Sequence, residues 1–263
     1  MSLLMRLWPL LLCGLSACGG GAGSVPVAPI DLVPPVNVVA ADEINLLFMG
    51  NSHTIYNDVP GSVAALLRAT RPGKVVTAVT APASQFLEAH WQDATTLGLL
   101  RQRPWSAVVL QAQKYSASGT AEYPTVQAEN LAREVRRLGA VPMLFPEWPR
   151  LGIAETQRIY DVHVSIAQRQ PACVAPIGQA WDIAMRSPAL VLHDADGNHA
   201  NSNGSFLAAL VIYASLTGLP PADLPSLDGR GVDAATQALL RAAAAEAVRL
   251  HAPRALCPTD RLL

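Results

Sequence analysis

A serine hydroxyl becomes a useful nucleophile when an imidazole can take its proton and a carboxylate can orient that imidazole. Two stretches of this chain hold those three groups. The first is Gly50-Asn51-Ser52-His53-Thr54, entered straight from the apolar run at residues 44–49 and followed, after Pro60, by a helical pattern. A serine at such a strand-to-helix turn lies beside main-chain N–H groups that can hold an oxyanion. Gly50 permits the tight reversal. The second stretch is Leu192-His193-Asp194-Ala195-Asp196-Gly197-Asn198-His199, just ahead of a helix starting near Asn203. Asp196 and His199 are three apart, so one loop can offer a carboxylate to one ring nitrogen and leave the other nitrogen for a nucleophile. The reading is Ser52 as nucleophile, His199 as general base and Asp196 as its orienter.

Metal binding competes for the second stretch. Asp-x-Asp-Gly-Asn resembles part of a calcium loop, but Gly197 is misplaced for that pattern and Ser205 stands where the bidentate glutamate belongs. A cluster of His193, Asp194, Asp196 and His199 matches no standard zinc spacing. No metal and no cofactor are expected.

The elements that must position these groups follow from periodicity. Short apolar runs at 44–49, 75–79, 107–110, 141–145 and 173–177 read as strands. Helical patterns at 61–70, 122–138, 155–168, 205–216 and 232–251 alternate with them. Such alternation implies crossover connections and a mostly parallel sheet covered on both faces. Reactive loops then lie past the carboxyl ends of the strands, where both stretches above fall.

The chain has 263 residues, 51% hydrophobic and 15% charged, with a formal net charge of −1. That supports one large core and offers no basic stripe for nucleic acid. Residues 1–18 carry one early cation, Arg6, and an apolar segment too short to span a bilayer, which reads as a signal peptide. Leu15-Ser16-Ala17-Cys18 resembles the bacterial lipobox, with Cys18 as the lipidated residue. The competing reading is an ordinary secretory signal with a chance cysteine. Gly19 after Cys18 favours outer-membrane sorting by analogy. Residues 19–42 are rich in Gly and then Val and Pro, a tether between membrane and a domain at 43–263. The expected location is the cell envelope, by lipid anchor, or the periplasm or exterior. Cys173 and Cys257 remain in the domain. They form either a disulfide worth about 4 kcal/mol or two separate buried thiols.

The strand–GNSHT–helix opening, the late Asp-x-x-His and the strand–helix alternation resemble the SGNH/GDSL hydrolase superfamily. The segments Val109-Leu110-Gln111-Ala112-Gln113, residues 176–181 and HDADGNHANSNGSFLAALVIYASLTG resemble a bacterial SGNH-type branch, over roughly residues 45–218. The resemblance implies a flavodoxin-like three-layer α/β/α sandwich with a five-stranded parallel sheet, and ester hydrolysis through an acyl-enzyme. It carries the triad roles onto Ser52, His199 and Asp196. The oxyanion hole departs from the family pattern. Asn51 replaces the usual Asp before the serine. The loop after the second strand has no glycine, leaving Ala83 or Ser84 to offer an N–H beside that of Ser52. Gln113, ahead of Gln111, takes the place of the usual Asn amide.

The expected substrate is a small-molecule or carbohydrate ester carrying an acyl or acetyl group. A non-catalytic glycan-binding module and an acyltransferase using the same triad are the alternatives, and oligomeric state is not legible. Of the remaining side chains, His53 reads as a solvent-facing loop histidine, with pocket lining as the alternative, and Trp91, near His90, as packing. Glu147-Trp148 read as possible substrate contacts. Asp58 reads as a helix cap, and Arg133, Arg136 and Arg137 as a solvated helix face.

Overall fold

The computed structural model describes residues 38–263. The signal segment, Cys18 and most of the tether lie outside the described residues. Five parallel strands form one sheet in the order β2-β1-β3-β4-β5: β1 Glu43–Met49, β2 Val75–Thr80, β3 Ala107–Gln111, β4 Val141–Phe145 and β5 Cys173–Val174. The strands are apolar because helices cover both faces. Alternate residues serve opposite layers. Leu46 and Phe48 of β1 pack with Val63 and Leu67 of helix α2 (Val59–Thr70) and with α8 (Ser202–Thr217) and α9 (Ala234–Leu250). Leu47 and Met49 pack on the other face with α3 (Leu87–Gln92), α4 (Ala94–Gln102), α5 (Val126–Arg137) and α6 (Thr156–Arg169). The three-layer α/β/α architecture expected from the sequence is the one observed.

Three differences have local causes. The fifth strand is two residues long, because Pro176 has no N–H for the ladder and leads into helix α7 (Ile177–Ala184). Helix α5 begins at Val126, beyond Pro124, and not at 122. The short helices α1 (Ser52–Ile55), α3, α4 and α7 have too few turns to leave a periodic signature in the sequence.

Helix α8 is buried on all sides: every residue from Gly204 to Thr217 is inside. Its run FLAALVIYASL is apolar all round, as a helix wedged between sheet and helices must be. Gly204 lets its first turn pass Trp181 and the Leu192 carbonyl; a Cβ there would overlap both. Asn201 caps the helix, accepting from the N–H groups of Asn203 (2.9 Å) and Gly204 (3.2 Å). This cap fixes the chain just after His199. Cys173 and Cys257 are disulfide-bonded, tying the C-terminal segment to β5 across a sequence separation of 84.

Candidate active site

The chain leaves β1 at Met49 and turns through Gly50 and Asn51 into α1, whose first residue is Ser52. A Cβ on Gly50 would overlap Thr54 Oγ1 and Gln111 Oε1, so the turn is closed tightly over the end of β3. Gln111 Oε1 accepts from Asn51 N–H (2.9 Å) and from the Thr54 hydroxyl (2.9 Å). Asn51 Oδ1 in turn accepts from His53 N–H (3.0 Å). The Ser52 loop is therefore held by side chains as well as by its own backbone.

The second loop closes on itself. His193 pairs with Ala200 in an isolated antiparallel bridge, and Asp194 N–H donates to His199 O (2.8 Å). Asp196 Oδ1 accepts from the N–H groups of Asn198 (2.9 Å) and His199 (2.8 Å), which leaves Oδ2 for His199 Nδ1 at 2.5 Å. His199 Nε2 stands 2.9 Å from Ser52 Oγ. With the ring proton on Nδ1 toward Asp196, Nε2 is free to accept the serine proton; this tautomer follows from the network. The three side chains picked out of the sequence are thus one hydrogen-bonded chain, assembled across 147 positions. The hydrogen bond from His199, then those from the two N–H groups, hold the Asp196 carboxyl far below the usual range. The loop is pinned from outside by Trp148 Nε1 donating to Asn198 O (2.9 Å), Asn57 Nδ2 donating to Ala200 O (2.8 Å), and Leu151 N–H donating to Gly197 O (2.8 Å). The other imidazole and carboxylate of this stretch have partners in distant segments. His193 Nε2 bonds the buried Pro149 carbonyl (2.8 Å), and Asp194 accepts from the Tyr56 hydroxyl (3.1 Å).

His53 lines the cavity beside Ser52, the alternative reading of its place in the loop, and is not solvent-facing. It is buried, with Nδ1 3.1 Å from Glu147 Oε2, and its ring lies 4.9 Å from that of Trp148 and 5.2 Å from that of His199. Burial opposes its charged form. The hydrogen bond and charge of Glu147, helped by the Asn198 carbonyl and Asp196, outweigh burial and raise its pKa above the ordinary histidine value. The same Glu147 oxygen accepts from Gln111 Nε2 (2.9 Å). One carboxylate beyond the end of β4 thus braces the Ser52 loop from two sides. The sequence clue was available: Gln111 and Glu147 are polar residues at or just past the carboxyl ends of apolar strands. Trp148 is packing, stacked on Trp181 at 4.7 Å.

Ser52 opens into a cavity of about 440 Å³ whose walls include Asn51, Phe86, Lys114, Tyr115, Glu147 and Arg150. Arg150 is held by a two-pronged pair with the fully buried Glu155 carboxylate, 3.0 Å at each prong. Gln113 also lines the cavity, but its amide donates to the carbonyls of Lys114 (2.9 Å) and Pro124 (3.2 Å). Both N–H bonds are committed, which corrects the expectation that this side chain donates to an oxyanion. Ala112, just before it, has φ +74, a left-handed conformation that redirects the chain after β3. Ala83 and Ser84 lie in the loop before α3, and Gln85 N–H of that loop bonds Gly50 O (3.1 Å). The N–H groups of Ser52, Ala83 and Ser84, and Asn51 Nδ2, have no partner among the described residues.

The remaining side chains have structural work. His90 Nε2 bonds Gly50 O (3.0 Å) from inside the core, and Trp91 packs partly buried. Asp58 Oδ1 caps α2 through Gly61 N–H (2.9 Å). Arg136 departs from the solvated face expected for it: it grips Asp260 with both prongs (2.7 and 2.8 Å).

No family model and no curated protein sequence matches the chain. Solved structures do. A DUF4886 family protein from Bacteroides uniformis superposes with a TM-score of 0.63 at 18% identity, over 84% of this chain and 98% of that one. A protein from Slackia heliotrinireducens described as a putative SGNH hydrolase gives 0.52 at 24% identity, over 65% and 97%. An alpha/beta hydrolase enzyme from the metagenome of Lake Arreo gives 0.50 at 14%, over 68% and 96%. The fold is the parallel-sheet α/β architecture that these structures share. At these identities the likeness speaks for architecture, and the chemistry rests on the side chains themselves.

Proposed function

We propose that this protein is a serine ester hydrolase of the SGNH/GDSL type that removes short acyl groups, acetyl foremost, from hydroxylated alcohols. The observation that carries the reading is the unbroken Ser52–His199–Asp196 chain opening on a cavity of mixed polar and apolar lining. Ser52 Oγ attacks the ester carbonyl as its proton passes to His199 Nε2, and a C–O bond forms as the carbonyl π pair moves to oxygen. Collapse of that oxyanion expels the alcohol, which takes the proton from His199. Water, deprotonated by the same nitrogen, then attacks the acyl-serine and releases the acid and Ser52.

With the Gln113 amide committed elsewhere, the oxyanion falls to the N–H of Ser52, the N–H of Ala83 or Ser84, and Asn51 Nδ2. Preference for a short acyl group rests on the charged side chains of Lys114, Glu147 and Arg150 among the cavity walls, beside which a long apolar chain would lie poorly. A largely apolar cavity of about 500 Å³ exists, but it is walled by Ala214 and Gly218 at the far end of the 16-residue α8. At 1.5 Å per residue these walls stand about 18–24 Å along that helix from its Ser202 end, beyond a short acyl chain on Ser52. The lipobox-like Cys18 supports a lipid-anchored place at the cell envelope, tested by labelling cells with an alkynyl fatty acid: label on wild type and not on Cys18→Ala is the expected result.

The decisive assay is hydrolysis of p-nitrophenyl acetate beside fluorophosphonate labelling. Ser52→Ala should lose both, turnover by about 10⁴–10⁶-fold. Wild-type turnover in that variant removes Ser52 from the role.

A further inference from the structure

The cavity of about 500 Å³ beside the last turns of α8 and α9 takes no part in the candidate active site. Leu219, Pro220, Val248 and Pro253 give it apolar walls, and Arg249 and Arg254 are the charged residues among them. Neither arginine has a carboxylate partner among the described residues. Arg254 Nη2 donates to the Asp260 carbonyl, while its Nη1 is buried without an acceptor. The Asp260 carboxylate is taken by Arg136, and Asp223, just past Pro221, is not in the wall. Apolar walls bearing guanidinium groups that no carboxylate neutralises fit a ligand with an alkyl chain and an anionic head.

The cavity lies at the end of the domain where the chain enters. Strand β1 runs about 20 Å from Glu43 to Met49, with Val38 ahead of one end and Ser52 just past the other. From Val38 the surface is continuous to the cavity. Val39 and Leu262 wall a smaller hollow, Leu263 N–H bonds Leu216 O (3.1 Å), and a Cβ on Gly218, itself in the cavity wall, would lie 3.2 Å from Leu262. Val38, Leu219 and Leu262 are large apolar side chains left exposed along this path. The charged side chains of the smaller hollow are Arg71, Lys74 and Arg261 against the single carboxylate of Glu43.

We propose that this end of the domain docks on an anionic phospholipid surface, the cavity taking a lipid acyl chain while Arg249 and Arg254 meet phosphate groups. Two observations select that occupant. The cavity walls carry cations and no carboxylate, which complements an anionic headgroup layer, and residues 1–37 join the domain at this end through Val38. Docked in this way, the protein turns Ser52 away from the bilayer and takes its substrate from the aqueous side. The inference does not rest on the hydrolase reading.

The test uses the chain from Gly19, which lacks Cys18 and keeps both halves of the core and the disulfide. It is sedimented with vesicles of phosphatidylglycerol and phosphatidylcholine in equal parts, and with vesicles of phosphatidylcholine alone. Wild type should partition to the anionic vesicles about tenfold or more in excess of the neutral ones, and less as salt is raised. Arg249→Gln should weaken partitioning to the anionic vesicles about fivefold. Leu219→Asp, at an exposed position in the cavity wall, should weaken it about tenfold or more. Both substitutions should leave Tm by circular dichroism unchanged. Equal partitioning to the two kinds of vesicle overturns the proposal, as do variants that bind as wild type does. A concentration-dependent dimer in sedimentation equilibrium that Leu219→Asp dissolves would assign the face to a second copy and overturn it too. Vesicle binding is read without turnover, so its failure leaves the Ser52 assay standing, and the reverse.

Discussion

Replacing Glu147 separates geometry from charge at the base of the candidate active site. Its Oε2 accepts from Gln111 Nε2 and from His53 Nδ1, and the side chains of Glu147 and His53 are only 14% and 9% exposed. Glu147→Leu keeps most of the volume and removes the acceptor, stranding two buried donors. At ~1–3 kcal/mol for each stranded group, the loss is about 2–6 kcal/mol. For a domain of this size that corresponds to a fall in Tm of about 4–24 °C. Turnover should fall with it, because Gln111 no longer holds Asn51 N–H under the nucleophile. Glu147→Gln keeps an oxygen in place and removes only the charge. The sign of the pH dependence then identifies the cause. Wild-type His53 has a raised folded pKa, so its ion pair contributes stability that is fully present below the unfolded histidine value. That contribution is lost as pH rises through the folded value. The stability gap between wild type and Glu147→Gln should therefore be wide at about pH 5.5 and should nearly close well above the raised value, with a slope of at most ~1.4 kcal/mol per pH unit. Thermal unfolding followed by circular dichroism at several pH values measures it. A gap that is constant, or that widens as pH rises, refutes the proposed ion pair.

Other substitutions probe the remaining parts of the site. Asp196→Asn keeps the size of the side chain but favours the wrong imidazole tautomer, and kcat on p-nitrophenyl acetate should drop about 10²–10⁴-fold. The lower part of that range applies if water can replace a carboxylate that is half exposed. Asn51→Asp preserves the acceptor for His53 N–H and deletes the free amide. If Asn51 Nδ2 donates to the oxyanion, kcat should fall about 10²-fold with Tm nearly unchanged; unchanged kcat would assign the donors to main-chain N–H groups alone. The double variant Cys173→Ala, Cys257→Ala releases a tie spanning 84 positions, and should lower stability by about 4 kcal/mol, or about 8–16 °C in Tm. Calorimetry that finds no loss would show that the tail is held by packing and the Arg136–Asp260 pair instead.

The strands, the long helices and the three side chains that meet at the candidate site were legible along the chain, for one reason. Buried parallel strands leave continuous apolar runs, helices leave a 3.6-residue period, and the loops at the carboxyl edge must carry whatever chemistry exists. Asp196 and His199 share one loop, so their pairing is local and readable. The contacts that sequence could not disclose are those made between segments. Gln111 and Gln113 carry the same amide, yet the first braces the nucleophile loop while the second is spent on its own connection. The left-handed turn at Ala112 separates them, and no periodicity announces it. His53 looked exposed because nothing near it in sequence could bury it; Glu147, 94 positions away, and Trp148 do so only once β4 is in register beside β3. Composition and spacing specify what each segment can become, whereas the partner of a buried polar group is set by which strands lie side by side. That choice is made by packing the whole sheet.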